Sequence, residues 1–266
     1  NQGQIMHGLV AGYTQLGRRD CLNAALRAGH WLVAQQDDDG CFRRFEHNGI
    51  PHVYNTRALW ALAAVGIMAG ERSFLDAARR NFDWALTQQR GQGWFATNAF
   101  TPDRDPFTHT IAYAIRGLIE GAVLLEDERY LKGAERAAEG VMARLRDDGW
   151  LAGTYGDNWM PSASYACVTG VAQMALCWLR LYQISGDLRN REAAERAIRY
   201  VKTTQRLEDA DSVVCGAIPG SAPIWGAYSR MEFPNWAAKF FADALIMDLT
   251  AFPVPPLPFR TSEGRS

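Results

Sequence analysis

The sequence predicts an all-α fold in which helical hairpins stack side by side into a curved, two-layered ring. Three observations predict it: a tandem repeat, an alternation of two kinds of helix within each copy, and glycines at the turns between them. The repeat is clearest between residues 27–42 (RAGHWLVAQQDDDGCF) and 80–95 (RNFDWALTQQRGQGWF). Trp31 aligns with Trp84, Gln36 with Gln89, Gly40 with Gly93 and Phe42 with Phe95, at one offset of 53 residues. A third copy, 136–151, keeps Gly149 and Leu151 but has Gly140 in place of the tryptophan. A fourth, 196–218, keeps Gln205 and lengthens the loop before Gly216. Repeats of this length are the mark of stacked helical units.

Within each copy the first helix is apolar nearly all round, as in 54–70, 108–125 and 167–186, and so is expected to be buried on all sides. The second is amphipathic and rich in Arg, Glu and Ala, as in 72–89, 128–145 and 189–205, with one face packed and one in water. Gly17, Gly70 and Gly186 fall between the two, where a helix ends on a left-handed residue. The chain begins directly on an apolar helix and a last one, 235–249, stands without an amphipathic partner. That gives five inner helices and four outer ones, hence an open ring with a gap between the first and last inner helices. Residues 1–251 are expected to form this one domain and 252–266, with the run FPVPPLPF, a Pro-rich tail. A strand pair is suggested only at 40–46 (GCFRRFE).

The W…QQ…G-F blocks resemble the QW-type repeats of the terpene cyclase/prenyltransferase superfamily. The architecture so implied, an incomplete (α/α) toroid, is also that of many polysaccharide lyases, glycoside hydrolases and the helical domains of uronyl C5-epimerases. The resemblance implies a site at the mouth, where the long loops meet the inner helices; a toroid by itself hosts many reactions.

Counting back equally from each hairpin turn gives Gln4, Arg57, Tyr113 and Gln173, and three residues on His7, Trp60, Arg116 and Leu176. Residues three apart share a helix face, so each buried helix carries polar groups at one level, and these are expensive there unless paired. Such a ring suggests a ligand cavity, the bland alternative being that the groups bond one another. Asn235 and Lys239 are expected to extend it from the last helix. Arg57, Arg116, Lys239 and the inner-helix N-termini would favour an anion, a uronate or a phosphate; equally, an Arg here could pair with Glu120 or Asp243. The entering loops add His52, Tyr54 and Asn55 before the second inner helix, His109 at the start of the third, Asp157 and Trp159 before the fourth, and Trp225, Tyr228 and Glu232 before the last.

The leading expectation is a carbohydrate-active enzyme on an acidic oligo- or polysaccharide, working by lyase- or epimerase-type proton abstraction. Arg57 and Asn55 would neutralise the uronate, His109 or His52 would be the base, and Tyr113 or Tyr54 the acid. A glycoside hydrolase needs two carboxylates, for which Asp105, Asp157 and Glu232 are available. A terpene cyclase fits less well: residues 209–212 (DADS) lack the last acid of a DxDD motif, and the ring is too polar for a carbocation. A non-catalytic glycan-binding toroid, part of a longer chain, is the remaining class. No cofactor is expected: His52, His109, Cys167 and Cys215 have no metal-ligand spacing, and no nucleotide motif occurs. Lys+Arg 28 against Asp+Glu 29 gives a net charge of -1, which argues against nucleic acid. No apolar run is long enough to span a membrane. Five scattered cysteines and no visible leader point to a reducing, cytoplasmic setting.

Overall fold

The computed structural model describes residues 2–208 and 213–252. Among these, nine helices alternate between two layers. The inner layer is α1 (Gln2–Leu16), α3 (Thr56–Ala69), α5 (Thr108–Leu125), α7 (Val168–Ser185) and α9 (Asn235–Thr250). The outer layer is α2 (Arg19–Gln35), α4 (Arg72–Thr87), α6 (Glu128–Met142) and α8 (Leu188–Thr204). Each inner helix packs on the next, from α1 through α3, α5 and α7 to α9, and α9 has no comparable packing with α1. The incomplete toroid is therefore observed, open where expected. The Pro-rich tail, apart from Phe252, and residues 209–212 lie outside the described residues.

Hairpin turns end on Gly17, Gly70 and Gly186 at φ of 65°, 69° and 71°, a region without penalty for glycine. At the third turn Glu126 takes that conformation instead, at φ 52°. Outer helices α6 and α8 start on aspartate caps, Asp127 and Asp187, each accepting a hydrogen bond from the backbone N–H two residues on.

The repeat signature has a structural explanation. The side-chain amide of Gln36, just past α2, donates to the carbonyls of Gly40 (3.0 Å) and of Ala77 in the next outer helix (2.8 Å). Gln89 does the same towards Gly93 (3.2 Å) and Gly133 of α6 (2.8 Å). The glycines let the loop lie against that helix: a Cβ on Gly40 would strike the backbone of Arg80, and one on Gly93 that of Arg136 and Ala137. In the third copy Leu145 occupies the glutamine's place, so only the glycine contact, Gly149 on Arg196, remains.

The 40–46 segment forms no strand. Its counterpart one repeat later does, β1 (Gln89–Arg90) with β2 (Trp94–Phe95), and two further short antiparallel pairs, β3 (Tyr155–Gly156) with β4 (Met160–Pro161) and β5 (Ala166–Cys167) with β6 (Ser221–Ala222), brace the later loops. Among the described residues no helix is long and apolar enough to cross a membrane.

Candidate active site

Small residues bring the inner helices together near their N-termini. Gly117 of α5 lies against the backbone of Thr56 and Arg57, and Gly170 of α7 against that of Thr108 and His109, with no room for a Cβ at either. This close approach sets the side chains of the same level facing one another. Arg57 has its guanidinium 4.6 Å from the Tyr113 ring centre. His109 and Tyr113 have ring centres 4.4 Å apart. His109 Nδ1 donates to Gln173 Oε1 at 2.8 Å, which leaves Nε2 as the unprotonated ring nitrogen.

A two-lobed cavity opens above them. The larger lobe, about 900 Å³, is lined by Arg57, Tyr54 and Asn55, and further out by Trp31, Arg44, Phe45, Glu46 and His47. The smaller, about 580 Å³, is lined by Phe107, Ala227, Tyr228, Ser229, Lys239 and Phe240. Gln4, Phe100, His109, Tyr113 and Trp236 border both. Several lining residues sit in the first turns of α1, α3, α5 and α9, so four helix N-termini surround the space and favour an anion in it.

The electrostatics are those of a cationic site. Arg57 is half-buried, with its Nε fully buried and without a hydrogen-bond partner. Among the described residues no carboxylate forms an ion pair with it. Burial lowers its pKa, but a guanidinium remains charged. Burial drives the His109 imidazole down to about 4 against the upward pull of its hydrogen bond to Gln173, and the Arg57 charge adds a smaller push in the same direction as burial. Burial raises the Tyr113 hydroxyl, and nearby Arg57 takes back part of that rise. Glu46 is the one carboxylate lining either lobe, and burial raises its pKa against the pull of the Asn55 side chain.

The remaining expected residues fall elsewhere. His7, Trp60 and Arg116 form the floor one turn below. His7 Nε2 donates to the Arg57 carbonyl at 3.0 Å and its ring meets Trp60 edge-on at 4.3 Å. Arg116 stacks on the other partner of that contact, 5.4 Å from the Trp60 ring, and pairs with Glu120 at 2.8 Å. Arg180 of α7 shares the same carboxylate at 3.0 Å. His52 is fully buried, donates from Nε2 to the His47 carbonyl at 2.9 Å and stacks on Tyr54, so it holds the loop and does not reach the cavity. Tyr228 lines the smaller lobe and accepts from Trp236 Nε1 at 3.0 Å; Lys239 lines it too but is paired with Asp243.

Trp159 is a correction. It is fully buried in the core, with its indole in the space above Gly140 and Nε1 donating to the Gln92 carbonyl at 2.8 Å. It fills the hole left where earlier copies carry Trp31 and Trp84. Asp157, Trp225, Glu232 and Asn235 are exposed and line neither lobe, and Asp105 lies beside Gly156. The hydrolase carboxylates expected from the loops therefore do not gather at the mouth. Trp236, Phe100 and Glu46, which do, carried no periodic signal. Among the described residues no three His, Cys, Asp or Glu side chains are grouped to hold a metal.

His7 shares the fate of His109, pushed down to about 4 by burial and the Arg57 charge. The unfolded chain, with both near 6.5, binds more protons than the folded one between about 4 and 6.5. Stability should therefore be full above pH 6.5 and fall steadily towards pH 4. Urea midpoints across this range should show that slope, and His109→Gln should flatten it; a midpoint independent of pH there would remove the buried neutral imidazoles from the account.

Similarities of fold and of sequence agree on the broad class. Unsaturated glucuronyl hydrolase from Bacillus sp. GL1 superposes with a TM-score of 0.72 at 18% identity, over 91% of this chain and 72% of that one. Cellobiose 2-epimerase from Spirochaeta thermophila gives 0.67 at 15% identity, over 94% and 72%. A D-mannose isomerase gives 0.71 at 12%, over 94% and 70%. At these identities the likeness is one of fold. Among curated proteins no sequence match is found. The terpene cyclase side of the expected resemblance is not supported by these relatives, which are carbohydrate-active toroids. The family model described as beta-L-arabinofuranosidase, GH127 catalytic domain, matches residues 1–158, more than half of the sequence, and the chain belongs to that carbohydrate-active family.

Proposed function

We propose that the protein acts on an acidic, uronate-containing oligo- or polysaccharide and transfers a proton at the carbon next to the carboxylate. The observation that carries this reading is Arg57, whose guanidinium lines the larger lobe with its Nε buried and no carboxylate of its own. A sugar carboxylate would supply the missing partner and, held there, would make the neighbouring C5–H more acidic. Nε2 of His109 is neutral and free to take that proton. In an elimination, the C5–H electrons form the C4–C5 double bond, the C4–O bond breaks, and the leaving oxygen takes a proton from the Tyr113 hydroxyl, which burial keeps protonated. In an epimerisation His109 keeps the proton it has taken from C5, and the Tyr113 hydroxyl delivers another to the opposite face of C5, after which solvent resets both groups.

Two readouts test this: ultraviolet absorbance of an unsaturated uronate, and uptake of deuterium at C5 by NMR in heavy water. His109→Gln should lower kcat by about 10²–10⁴-fold with KM little changed. Because the wild-type imidazole stays neutral down to about 4 in the free protein, the acid limb of kcat/KM should lie near that pH and not near 6.5.

A second reading, glycoside hydrolysis, is favoured by Glu46, a carboxylate with a raised pKa lining the larger lobe in a chain of a glycosidase family. It predicts new reducing ends without unsaturation and a loss of turnover in Glu46→Gln, with His109→Gln less affected. Binding of uronate glycans with neither product would leave a glycan-binding module.

A further inference from the structure

Gln173 of α7 stands at the level of Arg57, His109 and Tyr113 but lines neither lobe of the cavity. It is buried, at 4% exposure, and so does not touch a substrate. Its place against α5 is fixed by Gly170, one turn earlier, which lies on the backbone of Thr108 and His109 with no room for a Cβ. From there its amide reaches both members of the reactive pair. Oε1 accepts from His109 Nδ1 at 2.8 Å. Nε2 is buried and makes no hydrogen bond, yet it lies near enough to the Tyr113 hydroxyl to act on it as a donor, pulling its pKa down as Arg57 also does. A buried amide with half of its capacity unused is a liability to the fold. An apolar side chain of the same length would pack there without that cost, so the idle donor points to a demand that does not come from folding.

We propose that Gln173 is a positioning residue whose one amide serves both proton transfers: its oxygen keeps the lone pair of His109 Nε2 open to the substrate, and its NH2 group bonds the Tyr113 oxygen as that oxygen gives up its hydrogen. The roles of His109 and Tyr113 in this rest on the proposed function; the reach of one amide to both rests on the structure. When Nε2 takes the C5 proton, the Nδ1–H of the resulting imidazolium becomes a stronger donor to Oε1, which polarises the amide and strengthens its own N–H donors. When Tyr113 gives its proton to the leaving oxygen, or to C5 in an epimerisation, the electron pair stays on the phenolate, which those N–H groups and Arg57 face. A guanidinium can only donate. With Arg57 and Gln173 both presenting donors to the Tyr113 oxygen, the hydrogen of the hydroxyl is directed into the cavity. The bond from Nε2 is completed only as charge develops, so it lowers the barrier without tightening the binding of substrate.

The test compares Gln173→Met, which removes both contacts, with Gln173→Glu, which keeps the acceptor and removes the donors. Nitrogen NMR of the histidine rings in the free protein, with the His109 signals identified by their loss in His109→Gln, should show Nδ1 protonated in wild type and in Gln173→Glu, and a mixture of tautomers in Gln173→Met. On polyuronate, Gln173→Met should lower kcat by about 10–100-fold, the loss usual when the partner that orients a histidine is removed, with KM unchanged. Its melting temperature should not fall. Gln173→Glu should lose turnover too, and its acid limb in kcat/KM should move up from near 4, because the new carboxylate is the first anion beside the imidazole. The other titratable groups around that ring are Arg57 of α3, Tyr113 of its own helix, Tyr228 from the loop before α9, and Cys167 beside the His109 backbone, none of them negative at neutral pH. Wild-type kcat in Gln173→Met, a loss confined to KM, or an unchanged tautomer in that variant overturns the inference. Full activity in Gln173→Glu overturns the part assigned to the NH2 group. If the wild type turns over no uronate, the proposed function falls, and the NMR spectra alone then decide whether Gln173 sets the His109 tautomer.

Discussion

Arg57→Met is expected to remove activity on an acidic substrate while leaving the fold as stable as before, or more so. A positioned cation facing developing charge contributes about 10²–10³-fold to turnover when removed singly, so kcat/KM should fall by that order. Stability should move the other way because the free protein gives Arg57 so little in return for its burial. Taking a charge out of water is strongly unfavourable unless geometry and hydrogen bonds compensate. Here the compensation is the faces of Tyr113, Trp60 and Phe240, at 4.6, 5.4 and 5.5 Å, and no ion pair. Methionine would keep much of the apolar volume against those rings. Arg57→Lys should retain part of the activity, since the charge survives but the planar fork that meets a carboxylate does not. Paired measurements of kcat/KM and melting temperature decide it. A variant that unfolds with wild-type turnover per folded molecule would make Arg57 a strut of the fold.

Glu120→Ala is expected to have the opposite profile. One carboxylate on α5 answers two guanidiniums, Arg116 at 2.8 Å and Arg180 at 3.0 Å, and all three are largely buried. Removing it leaves two largely buried cations without a carboxylate, their remaining hydrogen bonds being those to the Leu176 carbonyl and to Gln183; breaking a buried pair in this way costs about 3–5 kcal/mol in comparable networks. Burial alone would raise the Glu120 pKa, but Arg116 and Arg180 outweigh it and the net direction is down. The sign follows for pH: the network's contribution is complete above the ordinary carboxylate range and is lost as pH falls through the depressed folded value. Chemical denaturation at neutral and acid pH should find the gap between wild type and Glu120→Ala wide at pH 7 and narrowing in acid. A gap that does not depend on pH would mean that lost packing, not lost charge, accounts for the effect.

The layout of hairpins was legible because its signals are local. A glycine such as Gly70 or Gly186 ends one helix, and the residues after it show whether the next is buried or half wet. The level of Arg57, Tyr113 and Gln173 was legible for a geometric reason: equal counts from equivalent turns give equal heights on helices that run the same way. His109 was read separately, from its place at the start of the third inner helix where a loop enters the mouth. Loop residues had no such ruler. Trp159 sits in a loop of the kind that lines a mouth, yet it was drawn into the core by a space that exists only because position 140 is glycine. Glu46 gave no sign of its place in the larger lobe, since what distinguishes it from Asp157 or Glu232 is the direction in which an irregular segment folds. Asp105, Asp157 and Glu232 were equally plausible as residue types and are excluded only by where their loops run.

The glutamine and glycine pairs that tie each loop to the next outer helix have a consequence for how the ring comes apart. In a stacked architecture each repeat senses only its neighbours, so cooperativity passes through individual links. Those links are unequal here. Gln36 joins α2 to α4 and Gln89 joins α4 to α6, but Leu145 offers no such bond from α6 to α8. The first three outer helices therefore form one laced block, and the fourth is joined to it by packing and one solvent-facing ion pair, Arg196 with Asp147 at 3.6 Å. Partial opening is cheapest at that missing stitch, which makes the boundary between α6 and α8 the natural joint of the molecule.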